Sequence, residues 1–182
     1  MNKSVLREQL RKKRDSIPLD GLEKASDIIF QRLIADENIQ KAKVVMTYVS
    51  MTSEVGTHRL INALLTIGKK VAVPVVNGRE LDISYINSMD DLEKGSYEIL
   101  EPKKSRFSRC ELSDIDVVIV PAIAFDKGRH RIGYGAGFYD RLLPKTNAVK
   151  IGICYDFCVV ENVFPEWYDV KADYIITEKQ VY

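Results

Sequence analysis

The chain has 182 residues, 46% of them hydrophobic and 29% charged, with a formal net charge of +1. A length of this order fits one domain over 1–182 and buries most of the surface that the unfolded chain exposes. No apolar run reaches the roughly 20 residues of a membrane span, the charged N-terminus lacks a signal-peptide core, and near-neutral charge argues against general nucleic-acid binding. Cys110, Cys154 and Cys158 are odd in number and lack C-x-x-C spacing. Reduced thiols in a cytoplasmic protein are therefore expected, without a zinc site or a disulfide framework.

From the N-terminus, Ser4 to about Asp15 reads as a first helix, and Pro18 breaks the pattern. Lys3, Arg7, Arg11, Lys12, Lys13 and Arg14 stand against Glu8 alone in the first 14 residues. Such a run is commonly a solvated helix face, yet Lys3 and Arg7 lie four apart and share one side. Leu22, Ala25, Ile28, Ile29 and Leu33 give the stripe of a second helix. Val44, Val45, Met46 and Val49 make the run 43–49 mostly apolar, as in a strand buried on both faces. Thr57 can cap a helix through Ile67, with Leu60, Ile61, Leu64 and Leu65 on its core side and Gly68 at its end. Strands follow at about 70–76, 81–86, 116–124, 149–155 and 173–177. Region 87–115 is polar, with weak turn signals, and yields no assignment. This alternation predicts an α/β fold: a single-domain, three-layer α/β/α arrangement with a mainly parallel sheet. Ligands of such sheets bind outside the carboxyl ends of the strands. Glu54, just past the first strand, and the 126–140 loop, just past the central one, fall at that edge.

The segment Pro121–Leu143, PAIAFDKGRHRIGYGAGFYDRLL, carries the densest chemistry. An apolar run stops at a loop bearing Lys127, Arg129 and Arg131. Gly133, Gly135 and Gly137 follow, and then Phe138, Tyr139 and Asp140. In a glycine-rich turn, backbone N–H groups can converge on an anion. The neighbouring cations add positive charge, and Asp140 could face a metal on the same anion, so the segment reads as a nucleotide-phosphate site. It is not a dinucleotide fingerprint, because Phe138 stands where the last glycine of G-x-G-x-x-G should be, and no P-loop is present. A tight turn feeding a helix would also use glycine wherever φ is positive.

The stretch RIGYGAGFYDR (131–141) resembles the signature of the 5-formyltetrahydrofolate cyclo-ligases, or methenyltetrahydrofolate synthetases. The likeness extends along nearly the whole chain. KSVLR (3–7) resembles the family's opening, SMTSEVGT (50–57) its segment with a substrate-binding glutamate, and PEWYDVKADYIITE (165–178) its closing pattern. There are departures: Ala136 and Phe138 stand where many members have Gly and Tyr. Gly128 comes one position early, leaving Arg129 in the usual glycine place.

The resemblance implies ATP- and Mg²⁺-dependent closure of 5-formyltetrahydrofolate to 5,10-methenyltetrahydrofolate, with release of ADP and phosphate, through a phosphorylated formyl intermediate. It also implies site residues. Lys3, Ser4, Val5, Leu6 and Arg7 would join Arg131, Ile132, Gly133, Tyr134, Gly135, Ala136, Gly137, Phe138 and Tyr139 around the nucleotide. Val49, Glu54 and Tyr134 would meet the folate, polyglutamylated or not, and Asp140 and Asp169 the metal. Glu54, Arg131 and Asp140 would carry the chemistry in a monomeric enzyme with no nucleic-acid or membrane partner. Other readings stay open at this point. The two aspartates could be ordinary turn carboxylates, and Phe138 and Tyr139 core aromatics. His58 and His130 fall off the motif positions and are expected at the surface. The whole chain could instead be a phosphosugar enzyme of related fold, or an RNA-binding module using its basic helix, which would bind with strong salt dependence.

Overall fold

A computed structural model describes residues 2–95 and 98–182. Its first helix, α1 (Lys3–Asp15), is capped by Asn2, whose side chain accepts from the Val5 amide at 3.0 Å, and it turns Leu6 and Leu10 into the core. α2 (Leu19–Ala35) begins after Pro18 and buries Leu22, Ile29, Phe30 and Leu33. Ile28, expected in that stripe, is 46% exposed, because it lies about 100° around the helix from Ile29. The short α3 (Glu37–Lys41) is capped by the Asp36 carboxylate and leads into β1 (Val44–Met46), which is buried throughout.

After β1 the chain leaves the sheet, so the expected strand 43–49 is shorter than its apolar run. It returns through α4 (His58–Thr66) to β2 (Lys70–Asn77), and a turn at Gly78, with φ +59°, reverses it into β3 (Glu80–Ile86). Thr57 occupies the cap position of α4 without making the capping bond, since its hydroxyl is used in the preceding loop. The unassigned region contains three short strands, β4 (Leu92–Lys94), β5 (Leu100–Pro102) and β6 (Ser108–Arg109). The expected strand 116–124 is two elements: β7 (Val117–Pro121) and β8 (Ala124–Asp126). β9 (Arg131–Ile132), α5 (Phe138–Leu142), β10 (Val149–Ile153), β11 (Val159–Val160) and β12 (Tyr174–Ile176) complete the chain.

Seven strands form the main sheet in the order β12-β10-β7-β1-β2-β3-β6. β12, β10, β7, β1 and β2 run parallel, while β3 and β6 add an antiparallel edge. The fold is thus α/β with a mainly parallel sheet, as the element order predicts. The chain moves outward from β1 on one side to β2 and on the other to β7. The strand order therefore reverses between β1 and β7, and a crevice opens beyond their carboxyl ends. The loop with Glu54 leaves β1 there, and the segment with Arg131 and the three glycines leaves β7.

A second sheet, β11-β8-β9, carries that segment. Phe125 of β8 is fully buried and its ring lies against Gly152 of β10, where an added Cβ would come within 2.5 Å of the ring. The glycine of the main sheet is thus the seat of the smaller one. Gly152→Ala should overpack this contact and destabilise the protein by about 1–3 kcal/mol. Thermal unfolding checks it: an unchanged midpoint would mean that the small sheet is not fixed at this point.

Candidate functional site

The loop after β1 is closed by its own side chains. Thr57 Oγ1 donates to the Tyr48 carbonyl at 2.8 Å and accepts from the Ser50 amide at 2.9 Å, while Ser50 Oγ accepts from the Thr57 amide at 2.9 Å. The Tyr48 hydroxyl donates to the Val55 carbonyl at 2.9 Å. Inside this clasp, Thr52 is held at φ +41°, a conformation that non-glycine residues rarely adopt. Glu54 Oε2 accepts from the Met51 amide at 2.8 Å, which fixes one carboxylate oxygen. A second chain of bonds holds its backbone. The Gly56 amide donates to Ser26 Oγ (3.0 Å), which pairs with the Tyr155 hydroxyl (3.1 Å), and that hydroxyl donates to the Glu54 carbonyl (3.0 Å).

A recess beside Glu54 is lined by Arg14, Tyr48, Tyr134 and Tyr155, and its floor includes Cys154 and Cys158. Burial pushes the Cys158 thiol up to about 12 and the Cys154 thiol well above its usual value, so neither supplies a thiolate at neutral pH. Burial, followed by the nearby Glu54 carboxylate, also raises the Tyr48 and Tyr134 phenols and keeps them as neutral donors. Arg14 is the residue that sequence reasoning left in the solvated basic run. It is only 7% exposed, donating from Nε to Ser53 Oγ at 3.0 Å and from a terminal nitrogen to the Tyr134 hydroxyl at 3.1 Å. Burial works against its charge, but Tyr134 and Glu54 offset this and leave its pKa above the ordinary value. The missed signal was helical spacing: Lys3, Arg7 and Arg14 fall on the same side of α1 as the buried Leu6 and Leu10.

On the other side of the crevice, α1 docks on the glycine turn. Arg7 Nε donates to the Gly133 carbonyl at 2.7 Å, and Lys3 Nζ meets Asp169 Oδ2 at 2.9 Å. Arg131 is buried on β9. One terminal nitrogen pairs with Asp140, the guanidinium stands over the Tyr139 ring at 5.7 Å, and Nε is buried without a partner. Burial lowers its pKa, and the Asp140 and Asp169 carboxylates, both within electrostatic reach, oppose that. The Tyr139 hydroxyl is also buried without a partner. A Cβ on Gly133 would come within 2.7 Å of the Arg131 guanidinium. Gly135 has φ +107° with open space around the missing Cβ, so a ligand can approach the backbone there.

The structure brings Lys3, Arg7, Arg131, Asp140 and Asp169 to the glycine turn, and Glu54 and Tyr134 to the adjoining recess. Leu6, Ile132 and Val49 are core residues, so their side chains hold the site's walls in place. Ser4 and Val5 are exposed. Phe138 lies beneath the Arg141 guanidinium, 5.5 Å from it, and Arg141 crosses the turn to the Ala136 carbonyl at 2.9 Å. His58 is exposed and bonded to the Ser50 carbonyl, whereas His130 is partly buried against Asp126. Among the described residues no cluster of three or more His, Cys, Asp or Glu is poised for a metal. Two carboxylates beside a phosphate-sized opening suit Mg²⁺, which takes its remaining ligands from phosphate and water. Among the described residues no helix is long and apolar enough to cross a membrane.

The 5-formyltetrahydrofolate cyclo-ligase family profile matches residues 1–178, and the chain belongs to that family of ligases. It is 28% identical to an Escherichia coli 5-formyltetrahydrofolate cyclo-ligase, over 95% of this chain and 98% of that one. Among solved structures it resembles an Aquifex aeolicus 5,10-methenyltetrahydrofolate synthetase with a TM-score of 0.89 and 31% identity, covering 100% of this chain and 92% of the other. A Mycoplasma pneumoniae 5,10-methenyltetrahydrofolate synthetase aligns with a TM-score of 0.79 and 25% identity, covering 98% and 99% of the two chains.

The Arg14 contacts are testable apart from any activity. Arg14→Met leaves Ser53 and Tyr134 without their donor and should cost about 1–3 kcal/mol of stability. Combined with Tyr134→Phe, the loss should be less than additive, since one bond is removed twice. Additive losses in denaturant unfolding would show that the two side chains do not interact.

Proposed function

We propose that this chain converts 5-formyltetrahydrofolate to 5,10-methenyltetrahydrofolate with ATP and Mg²⁺, releasing ADP and phosphate. One observation carries the reading. A buried arginine with an unpartnered Nε lies beside an open glycine turn, on the same sheet edge as a fixed carboxylate in a tyrosine-lined recess. That edge offers an anion site and a separate site for a polar ring system, which a phosphoryl transfer to a folate requires.

The formyl group on N5 is amide-like, so its carbon is a poor electrophile and its oxygen a poor leaving group. In the first step the formyl oxygen attacks the γ-phosphorus of ATP. An O–P bond forms, the bond from that phosphorus to the β-bridging oxygen breaks, and its electron pair leaves with ADP. N10 then attacks the activated carbon and loses its proton to solvent. The C–O bond breaks with its pair going to phosphate. No protein nucleophile is required, which agrees with the two raised thiols in the recess. Positioning and charge neutralisation are what the chain supplies.

The backbone of Gly133–Gly137 and the Arg131 side chain hold the phosphates, with Lys3 and Arg7 closing from α1. Asp140 and Asp169 hold Mg²⁺, which neutralises phosphate charge when bound. Both carboxylates have cationic partners in the ligand-free protein, Arg131 and Lys3. Arrival of metal and nucleotide therefore exchanges partners: the cations pass to phosphate and the acids to the metal. Glu54 faces the pterin, accepting from its donors and favouring the cationic character that develops at N5. The 182 residues act as a single catalytic domain, a cytoplasmic monomer that takes the folate with or without a polyglutamate tail.

Purified protein with ATP, Mg²⁺ and 5-formyltetrahydrofolate should generate the absorbance of the methenyl product. ATP hydrolysis that proceeds equally without folate would favour a different phosphate chemistry. Glu54→Gln keeps the size and removes the charge, so turnover should fall roughly a hundredfold, about 2.7 kcal/mol, with ATP binding retained. Normal turnover would remove Glu54 from the pterin. Asp140→Asn and Asp169→Asn should each raise the Mg²⁺ needed for half-maximal activity, with less than additive effects together. Full additivity with unchanged magnesium dependence would mark them as separate structural carboxylates.

A further inference from the structure

Among the described residues, two buried side-chain donors have no hydrogen-bond partner: Arg131 Nε and the Tyr139 hydroxyl. They are neighbours, since the Arg131 guanidinium stands over the Tyr139 ring at 5.7 Å. A buried donor left unmade costs about 1–3 kcal/mol, so two together mark a place built for something else. Each has an apparent internal alternative that it does not use. Arg131 engages Asp140 through a terminal nitrogen, leaving Nε free. Tyr139 lies within electrostatic reach of Glu54, yet its hydroxyl makes no bond to that carboxylate.

Their position is specific. Arg131 belongs to the phosphate side of the crevice, through Asp140 and the glycine turn. Glu54 belongs to the recess side. Tyr139 feels both, so its hydroxyl stands at the junction of the two half-sites. Resting on the folate reading above, we propose that Tyr139 Oη–H and Arg131 Nε–H form a paired-donor pocket for the oxygen that is phosphorylated. Tyr139 is then a catalytic hydrogen-bond donor rather than a core aromatic.

This oxygen changes character twice. It begins as a formyl carbonyl, bridges carbon and phosphorus after the first transfer, and leaves on phosphate when the C–O bond breaks. Charge builds on the departing phosphate during that last step, where donors already aimed at the oxygen act without reorganising. Before substrate arrives the pocket is unsatisfied, so its bonds form only when both ligands are in place. The pocket thereby favours the ternary complex over either binary one.

Tyr139→Phe tests this, because it removes one oxygen atom and keeps the ring under Arg131. In the ligand-free protein the thermal midpoint should stay the same or rise, since a buried orphan hydroxyl is lost. ATP with Mg²⁺ alone should bind as in the parent by calorimetry. A non-hydrolysable ATP analogue together with 5-formyltetrahydrofolate should raise the parent's midpoint beyond the sum of the separate effects, and the variant should lose that surplus. Its kcat should fall on the order of a hundredfold. A lowered ligand-free midpoint would show an internal partner for the hydroxyl and overturn the proposal. Weakened binding of ATP alone would assign the hydroxyl to the nucleotide, and unchanged kcat would return it to the core. Were the parent itself to show no surplus and no turnover, the folate reading would fall, and the pocket's assigned occupant with it.

Discussion

Burial of the Arg131 cation is the constraint around which the site is organised. Taking a guanidinium out of water is costly unless its charge is answered and its donors are met. Asp140 supplies the answering charge, nine residues along the chain, but the second condition is met only in part. The surroundings follow from keeping this cation in place. Gly133 must lack a Cβ, because one would collide with the guanidinium. The Gly133 carbonyl is then turned to Arg7 of α1, which fastens the helix over the turn. Tyr139 gives the cation an aromatic face, a favourable contact for arginine.

α1 couples the two halves of the crevice. Near its N-terminus, Lys3 reaches Asp169 on the segment before β12, and one turn later Arg7 holds the glycine turn. At the far end, Arg14 joins Ser53 in the Glu54 loop to Tyr134 of the glycine turn. Leu6 and Leu10, buried between these cations, supply the apolar contact that a charged helix face alone would lack. A shift of this helix would disturb the phosphate side and the recess together. Polar residues of one helix thus set the spacing between two sites carried by separate strands.

Much of this was legible in the sequence because it depends on local pattern. The all-apolar runs of β1 and β7 announce strands buried on both faces, and Lys3 and Arg7, four residues apart, announce a shared helix side. The G-x-G-x-G segment announces positive φ, found at Gly135 and Gly137. What stayed hidden depends on tertiary context. Arg14 looks like its solvated neighbours Lys12 and Lys13 until Ser53 and Tyr134 come near it. β4, β5 and β6 are two or three residues long, too short for alternation to emerge from a polar background. The split at Pro121 escaped because the apolar run continues across two sheets. Thr57 was assigned the right position and the wrong bond, since a hydroxyl at a helix start can equally serve the loop before it.

The displaced glycine of the β8–β9 hairpin illustrates how a departure from family pattern is accommodated. Arg129, in the place where a glycine is usual, adopts φ +69°, a left-handed conformation that costs an L-residue roughly 1–2 kcal/mol. Its backbone compensates: the amide donates to the Asp126 carbonyl at 2.8 Å, and the carbonyl accepts from the Ala172 amide at 3.0 Å. Its side chain donates to the Asp173 carbonyl, 44 residues away, at 2.5 Å. A glycine would relieve the strain and keep the backbone bonds, but it would lose the side-chain tie. That tie joins the hairpin to the segment that carries Asp169 and enters β12. The strained arginine therefore helps to fix one acidic residue of the crevice relative to the hairpin whose other arm bears Arg131, the partner of the second acid. A local violation of backbone preference is tolerated here because it holds the two carboxylates in one frame.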